Sequence, residues 1–173
     1  MTSKSPTVPE VWLRGPIDGV EPTLMPAVHA LIQVSEDIER VVSALTPAEL
    51  WTTPAGAASI GFHVRHIAGS IDRLCTYARG ESLSEEQRDT LDKEKEQGSP
   101  ADARALVDIA RKAIEDAIAL MRSVPRERLH ERRTVGRAAL PSTVLGLLFH
   151  AAEHAQRHTG QIITTAKVAR ARD

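Results

Sequence analysis

The sequence predicts an all-α fold, a four-helix bundle, and three observations support this fold class. Four long stretches repeat apolar residues at intervals of three and four, the spacing that places them on one face of an α-helix. Hydrophobic residues make up 42% of the chain but aromatic residues only 3%, so the core is built mainly from Ala, Leu, Ile and Val. No stretch shows convincing strand alternation. Helices packed on helices account for this pattern better than a β-sandwich, which draws on aromatic and β-branched residues.

The chain is long enough for one domain preceded by an irregular lead-in. Its 173 residues fit a single domain with a substantial core. Residues 1–25 are rich in proline and contain the turn-formers Gly15, Asp18 and Gly19, which predicts an irregular segment. We therefore expect the bundle domain to span residues 26–170.

The first long helix is predicted to begin at Pro26 and to keep its apolar spacing to Leu45. Proline is compatible with the first turn of a helix because the nitrogen there needs no intrahelical partner. The dipeptide Thr46-Pro47 ends this helix, and the Thr46 hydroxyl is placed to cap a short turn that runs through Trp51. The sequence thus predicts one long helix followed by a short one.

The second and third long helices are separated by a strongly charged segment. Ser59 is an N-cap candidate for the second helix, and Gly80 is suited to end it in a left-handed conformation. Acidic and basic side chains dominate residues 81–99, which is typical of a short helix exposed to solvent. The third helix carries apolar residues at helical spacing from Leu106 and ends at Pro125.

A basic connection leads from the third helix to the fourth. Residues 126–140 contain five arginines and a Val-Gly pair typical of a turn, so we interpret the segment as a connecting loop. Its arginines either contact an anionic substrate or face the solvent. The fourth helix is predicted to start at Pro141-Ser142-Thr143 and to run to about Ala169.

Three histidines of the fourth helix follow one another at four-residue intervals, namely His150, His154 and His158. A four-residue step turns an α-helix by about 40°, so all three rings project from one side of it. Leu147 and Ile162 belong to the same side, as expected of a core-facing stripe. Because a buried imidazole without partners costs free energy, these rings need partners, and a shared metal ion would satisfy several of them at once.

A second pair of histidines lies on the inner side of the second helix. His63 and His66 are about 60° apart around that helix. Combining His66 with His154 and His158 gives a three-histidine metal site, in which one coordination position stays open as in catalytic sites. Arg73, two turns after His66, either faces this site or pairs with a carboxylate. The competing interpretation is that these are core or half-exposed histidines whose partners are protein groups.

Two other chemical motifs in the sequence are incomplete. The segment His150-Ala-Ala-Glu-His154 matches a zinc-protease pattern, but Glu153 projects about 100° away from His154 around the helix. The segment Glu127-Arg-Leu-His130 matches part of a di-iron motif, but the sequence contains one copy where two are required. We therefore expect neither kind of site.

Two segments resemble the DinB/YfiT-like superfamily of metal-binding four-helix bundles. Residues 59–74 are similar to the family's second helix, in which a histidine just before a pair of small residues is a ligand. Residues 154–162, His-Ala-Gln-Arg-His-Thr-Gly-Gln-Ile, are similar to the family signature H-x-x-x-H-R-G-Q. Carried over by position, the resemblance implies that His66, His154 and His158 are the metal ligands.

The resemblance covers residues 25–168 or so, and the sequence departs from the signature at one position. Thr159 replaces the arginine that is common in the family, which leaves the contact of that arginine without a counterpart here. His63 and His150 match no ligand position, so they are interpreted as supporting or packing residues.

The resemblance also implies an architecture and a function. It implies an up-down-down-up bundle, a divalent ion such as nickel, zinc or iron, and a homodimer. Relatives with known activity include thiol-dependent S-transferases and isomerases that use low-molecular-weight thiols. We therefore expect a metal-dependent enzyme that transfers a small-molecule thiol to an electrophile, with hydrolysis as the weaker fit. Two alternatives stay open: a non-catalytic, stress-related metal-binding or dimerisation bundle, and a bundle that binds no metal.

Composition argues against several other functions. The net charge is −1 with both signs interspersed, so the sequence offers no basic footprint for nucleic acid and no polybasic membrane patch. No apolar run approaches the roughly 18 residues of a membrane span, and no signal peptide is recognisable, which predicts a cytoplasmic protein of bacterial type. Cys75 is the sole cysteine, which excludes an intramolecular disulfide and a thiolate-rich metal site. We expect it to pack in the core.

Overall fold

The computed structural model describes residues 8–94, 96 and 102–171. The predictions that concern residues 1–7 of the lead-in, and those for the end of the charged segment at 97–100, lie outside these described residues. The boundary between the lead-in and the bundle domain stays a prediction.

The described part of the lead-in is irregular apart from two short 3-10 turns, Val11–Leu13 and Pro22–Leu24. Val11 is buried, and its backbone amide donates a hydrogen bond to Oε1 of Gln33 at 3.1 Å. The lead-in is therefore attached to the first long helix through its backbone as well as through an apolar side chain.

Six α-helices make up most of the described residues, which confirms the all-α class predicted from the apolar spacing. Four are long and two are short: α1 (Met25–Val42), α2 (Pro47–Trp51), α3 (Ile60–Arg79), α4 (Glu85–Lys93), α5 (Ala103–Ser123) and α6 (Val144–Arg170). Within the described residues, no helix combines the length and the apolar character that a membrane crossing requires.

Capping residues place several helix ends where the sequence predicts them. Thr46 and Glu49 form a reciprocal capping box at the start of α2. At the start of α3, the Ser59 hydroxyl accepts a hydrogen bond from the amide of Phe62 at 3.1 Å. Gly80 ends α3 with a φ of 87°, a conformation that residues with a Cβ rarely adopt.

The four long helices pack against one another around an aliphatic core. Helix α3 packs against α5 and α6, and α1 packs against the same two helices. Each long helix contributes fully buried side chains, among them Leu31 of α1, Ile67 of α3, Ile114 of α5 and Leu148 of α6. Burial of these apolar surfaces is the main force that holds the helices together. The contact between α3 and α6 joins the two helices that carry the candidate ligands.

A short β-hairpin stands where the sequence predicted a connecting loop. Strands β1 (Arg132–Val135) and β2 (Leu140–Thr143) pair in antiparallel register, with Arg132 opposite Thr143. The prediction of a loop without strands was therefore wrong at this position. Each strand has only four residues, which is too short for alternating hydrophobicity to stand out in the sequence.

The hairpin also moves the start of the last helix. The helix was predicted to start at Pro141, but this residue lies in β2 and α6 begins at Val144. Thr143 is the N-cap, and its hydroxyl accepts a hydrogen bond from the amide of Gly146 at 3.0 Å. Thr143 was thus among the three residues predicted to start the helix, but it caps the helix instead. The other two, Pro141 and Ser142, belong to strand β2.

Candidate metal centre

The packing of α3 against α6 brings three of the predicted histidines together. His66 of α3 faces His154 and His158 of α6, and one ring nitrogen from each residue lies within 4.8 Å of the other two. The ring centroids are 5.1 Å apart for His66 and His154, 4.6 Å for His66 and His158, and 4.5 Å for His154 and His158. The four-residue spacing places the two α6 rings one turn apart on one face, and α3 supplies the third across the helix interface.

Glu94, directly after α4, fixes the orientation of the His66 ring. Its Oε2 accepts a hydrogen bond from Nδ1 of His66 at 2.7 Å. Nε2 of the same ring then lies 2.9 Å from Nε2 of His154. A carboxylate that holds the far nitrogen of a histidine selects its tautomer and leaves the other nitrogen free to bind a metal.

The carboxylate of Glu94 is buried. Arg73 supplies an opposite charge, and a glycine in α3 leaves space for it. Its side chain is 3% exposed, and its Oε1 accepts a hydrogen bond from the Arg73 guanidinium at 2.7 Å. Gly69 leaves the space, since a Cβ there would lie 2.3 Å from Oε1 of Glu94. Burial raises the pKa of Glu94, but the hydrogen bonds from His66 and Arg73 outweigh it and lower the pKa overall. Glu94 is therefore ionised at neutral pH.

Burial and the neighbouring rings favour the neutral form of His63, His154 and His158. Burial, followed by electrostatic repulsion from the His66 ring, lowers the pKa of His158 to about 4. The same two causes, in the same order, lower the pKa of His154 and of His63. Because a neutral imidazole is the form that binds a metal, these rings need lose no proton to bind one near neutral pH.

The second nitrogens of the three clustered rings differ in their partners. His66 uses Nδ1 to reach Glu94, as described above. Nδ1 of His158 lies 2.9 Å from Nδ1 of His63, a residue that is only 6% exposed. Nδ1 of His154 is buried and has no hydrogen-bond partner among the described residues. His63 thus supports the ring of His158, and His154 lacks the supporting contact that the other two rings have.

His150 lies outside the group of three. Its side chain is 48% exposed, and its Nδ1 lies 3.2 Å from Oε2 of Glu153. Glu153 also accepts a hydrogen bond from Arg157, one turn further along α6. The glutamate of the zinc-protease pattern is therefore paired with His150 and Arg157 along the surface of its own helix.

Two further sets of candidate residues lie elsewhere. Cys75 is buried, and burial raises the pKa of its thiol to about 12, so it is a packing residue and a poor nucleophile. In the basic connection, Glu131 pairs with Arg128 at 3.0 Å and with Arg133 at 2.8 Å. Arg133 also donates a hydrogen bond to the carbonyl oxygen of Ala78 at the end of α3. These two arginines are engaged within the protein.

The sequence did not reveal the role of Glu94. Charged residues dominate its surroundings, so the whole segment 81–99 was interpreted as solvated. Its hydrogen-bond partner His66 is 28 positions away, and no local pattern marks a contact over that distance. Of the two alternatives for Arg73, the structure shows the pairing with a carboxylate. The signal in the sequence was Arg73 itself, because an arginine near the inner face of a helix needs a carboxylate partner. The sequence did not show which carboxylate this is.

The donor set fits a divalent transition metal. Imidazole nitrogens suit zinc, iron and nickel alike. Two nitrogens bound to one tetrahedral zinc ion lie about 3.3 Å apart, since each is about 2.0–2.1 Å from the ion. The Nε2 atoms of His66 and His154 are 2.9 Å apart, so a slight opening of this pair accommodates an ion.

Comparison with protein families identifies the family to which the chain belongs. The family model described as the DinB superfamily matches residues 30–162, a range that includes all three clustered histidines. The chain belongs to the DinB superfamily. This finding confirms the resemblance inferred from the two sequence segments.

A solved structure is similar to this DinB-superfamily chain. It is the crystal structure of a DinB-like protein from Bacillus cereus ATCC 10987, with 18% sequence identity and a TM-score of 0.62. The similarity covers 83% of this chain and 90% of that one. At this level of identity the likeness shows the fold alone. Among curated proteins, the chain has no match.

Proposed function

We propose that this protein is a metal-dependent enzyme in which His66, His154 and His158 bind one divalent ion, either nickel, zinc or iron. The observation that carries the proposal is the convergence of three ring nitrogens within 4.8 Å, with two Nε2 atoms 2.9 Å apart. The buried Glu94 carboxylate supports the proposal because it orients the His66 ring. The lowered pKa values of His154 and His158 support it because they favour the neutral form of those two rings.

The proposed reaction is the transfer of a low-molecular-weight thiol to an electrophile. Three protein ligands leave a coordination position open, and a divalent ion lowers the pKa of a thiol or water bound there. The thiol is favoured over water by the resemblance to thiol-dependent relatives. The same resemblance supports an up-down-down-up four-helix bundle and a homodimer as parts of the proposal. A cytoplasmic location is proposed from the sequence alone, in which no signal peptide is recognisable.

A second candidate function is a non-catalytic metal-binding or dimerisation module. His63 favours it, because this buried ring lies 2.9 Å from His158 and a fourth histidine ligand would close the site. In the structure, however, Nδ1 of His63 contacts His158 itself. His63 therefore fits better as a support for a ligand than as a ligand.

The test of the catalytic proposal is thiol consumption by the metal-loaded protein. Cysteine and glutathione would each be mixed with 1-chloro-2,4-dinitrobenzene, and the formation of the thioether followed by absorbance. We expect turnover by the parent and by His130→Ala, which changes an exposed histidine in the connection before β1. We expect none above background for His158→Ala. A parent protein that binds metal but consumes neither thiol with any electrophile tried would favour the non-catalytic module.

A further inference from the structure

A small pocket lies beside the three histidines, between α3, α6 and the segment that contains α4. Its volume is about 240 Å³, and His154 forms part of its wall. Three leucines line it together with an aromatic residue and a serine, namely Leu74, Leu83 and Leu91 with Tyr77 and Ser70. An apolar pocket next to a reactive centre, with a few polar groups at its edge, is the usual form of a small-molecule site.

Helix α4 supplies an exposed leucine to this pocket. The helix is otherwise polar, since Leu91 is the sole apolar residue in the sequence of Glu85–Lys93. Leu91 is 42% exposed, and none of the nine side chains of α4 is buried. Core packing therefore does not explain a leucine at this position, whereas contact with a ligand in the pocket does.

The polar edge of the pocket carries little uncompensated charge. Arg73 lines it, but the buried carboxylate of Glu94 balances the guanidinium through the contact with NH1. The remaining N–H groups of Arg73 make no hydrogen bond with the described residues. They are therefore available as hydrogen-bond donors to a ligand. His150 is also at the edge, with its Nδ1 next to Glu153. Such an edge suits an uncharged hydrogen-bond acceptor better than a carboxylate.

We propose that this pocket binds the electrophilic substrate, a small, uncharged, largely apolar molecule with one carbonyl-type acceptor group. This inference rests on the proposed function, because it assigns the second substrate of the same centre. Pockets for drug-sized ligands are roughly 300–1,000 Å³. The volume here, about 240 Å³, is below that range, so the pocket would enclose a small molecule more completely than a peptide thiol such as glutathione. The pocket therefore suits the smaller of the two reactants better than the larger one.

The experiment is an NMR titration of methyl-labelled, metal-loaded protein with three probes of nearly equal size. Acetophenone has the ring and the carbonyl oxygen, ethylbenzene lacks the oxygen, and benzoate adds a negative charge. We expect acetophenone to shift the methyl signals of Leu83 and Leu91 with a dissociation constant in the millimolar range. Ethylbenzene and benzoate should bind more weakly. Binding of benzoate in preference to acetophenone, or shifts confined to other methyl groups, would overturn the proposal.

A matched pair of variants locates the binding. Leu91→Gln should weaken acetophenone binding by about fivefold or more, since it removes apolar surface from the pocket wall. Ile109→Gln makes the same kind of change at a residue of α5 that is 44% exposed, and it should leave the affinity unchanged. Equal effects in both variants, or no effect in Leu91→Gln, would contradict the assignment.

Metal content measured on the same samples separates this inference from the proposed function. Leu91→Gln should bind metal like the parent, because Leu91 contacts the pocket and is not among the clustered nitrogens. Metal binding without acetophenone binding would refute the proposal that the pocket binds the substrate, but not the proposed metal centre. Acetophenone binding by a protein that takes up no metal would refute the centre, and the pocket would remain a ligand site.

Discussion

Glu94, the residue directly after α4, contacts the candidate metal centre through His66. One of its oxygens holds His66 and the other holds Arg73, both at 2.7 Å. Removing a group that supports a ligand histidine typically weakens metal binding about 10–100-fold. We therefore expect metal affinity to depend on Glu94, a residue that is not itself a proposed ligand.

We predict that Glu94→Gln weakens metal binding within that range. An amide oxygen still accepts from His66, but the negative charge that balances Arg73 and favours the ligand tautomer is lost. Isothermal titration with the metal measures the change. Glu96→Gln is the matched control, because it makes the same substitution at an exposed residue two positions away. Equal affinities for the parent and Glu94→Gln would show that the carboxylate does not support the centre.

We expect Gly69→Ala to weaken metal binding without removing any charged group. The added Cβ would lie 2.3 Å from Oε1 of Glu94, so the carboxylate must move away from its present position. The same titration measures the effect, and circular dichroism checks that α3 is intact. Gly160→Ala is a control, since a Cβ at Gly160 of α6 meets no atom within 4 Å. An affinity equal to that of the parent in Gly69→Ala would mean that the position of Glu94 is not critical.

At the scale of elements, α4 is attached to the rest of the protein by polar contacts. None of its side chains is buried within Glu85–Lys93, all of which the structure describes. Gln87 donates hydrogen bonds to Asp72 and Thr76 of α3 at 2.7 and 2.8 Å. Elements held in this way open locally at a lower free energy than the core. Because Leu91 of α4 lines the pocket beside His154, we expect local opening of α4 to remove part of the wall of that pocket.

We predict that Ser84→Ala accelerates hydrogen exchange of the α4 amides several-fold and leaves α3 unchanged. The substitution removes the capping box formed by Ser84 and Gln87, and a lost N-cap costs about 0.5–2 kcal/mol of helix stability. Exchange measured by mass spectrometry on overlapping peptides reports both helices. Thr46→Ala removes the equivalent box of α2 and should not affect α4. A uniform increase across the protein would contradict the local attachment of α4.

Helix boundaries were predictable where a capping residue in the local sequence determines them. Thr46, Ser59 and Gly80 each occupy a boundary at which a cap needs that kind of residue, and the structure places helix ends there. The hairpin was missed because its strands are stabilised by pairing with each other, which four-residue segments do not reveal in sequence. Glu94 was missed for a related reason, since its partners lie in another helix.

At the scale of the whole molecule, the sequence predicted the helical class and the two helices that carry the clustered histidines. The apolar stripes indicate which face of each long helix is buried, and the histidine spacing follows from one turn of α6. Which helices are neighbours does not follow from the stripes, because any amphipathic helix can pack against any other. The structure provides that information by packing α3 directly on α6.

We predict that the metal-free protein loses stability as the pH falls from about 6.5 toward 4. The folded state binds protons at His158 more weakly than the unfolded chain does, because its pKa is lowered from 6.5 to about 4. The lowered pKa values of His63 and His154 act in the same direction. Glu94, whose pKa is lowered from 4.5, adds a further loss at the acid end of this range.

Urea unfolding at several pH values measures this dependence. His158→Ala should reduce the slope of the unfolding free energy against pH, whatever its effect on stability at neutral pH. A stability that rises on acidification through this range would contradict the account of neutral, partly buried rings.

The most direct test of the central claim is the metal content of the purified protein after incubation with nickel, zinc or iron. The parent should hold about one ion per chain, as a single three-histidine site requires. His154→Ala should lose it, whereas His150→Ala, one turn away on the same helix and outside the clustered nitrogens, should retain it. If the parent takes up none of the three metals, or if His154→Ala binds as much as the parent, the cluster is a feature of the helix interface and the proposed enzyme has no metal centre.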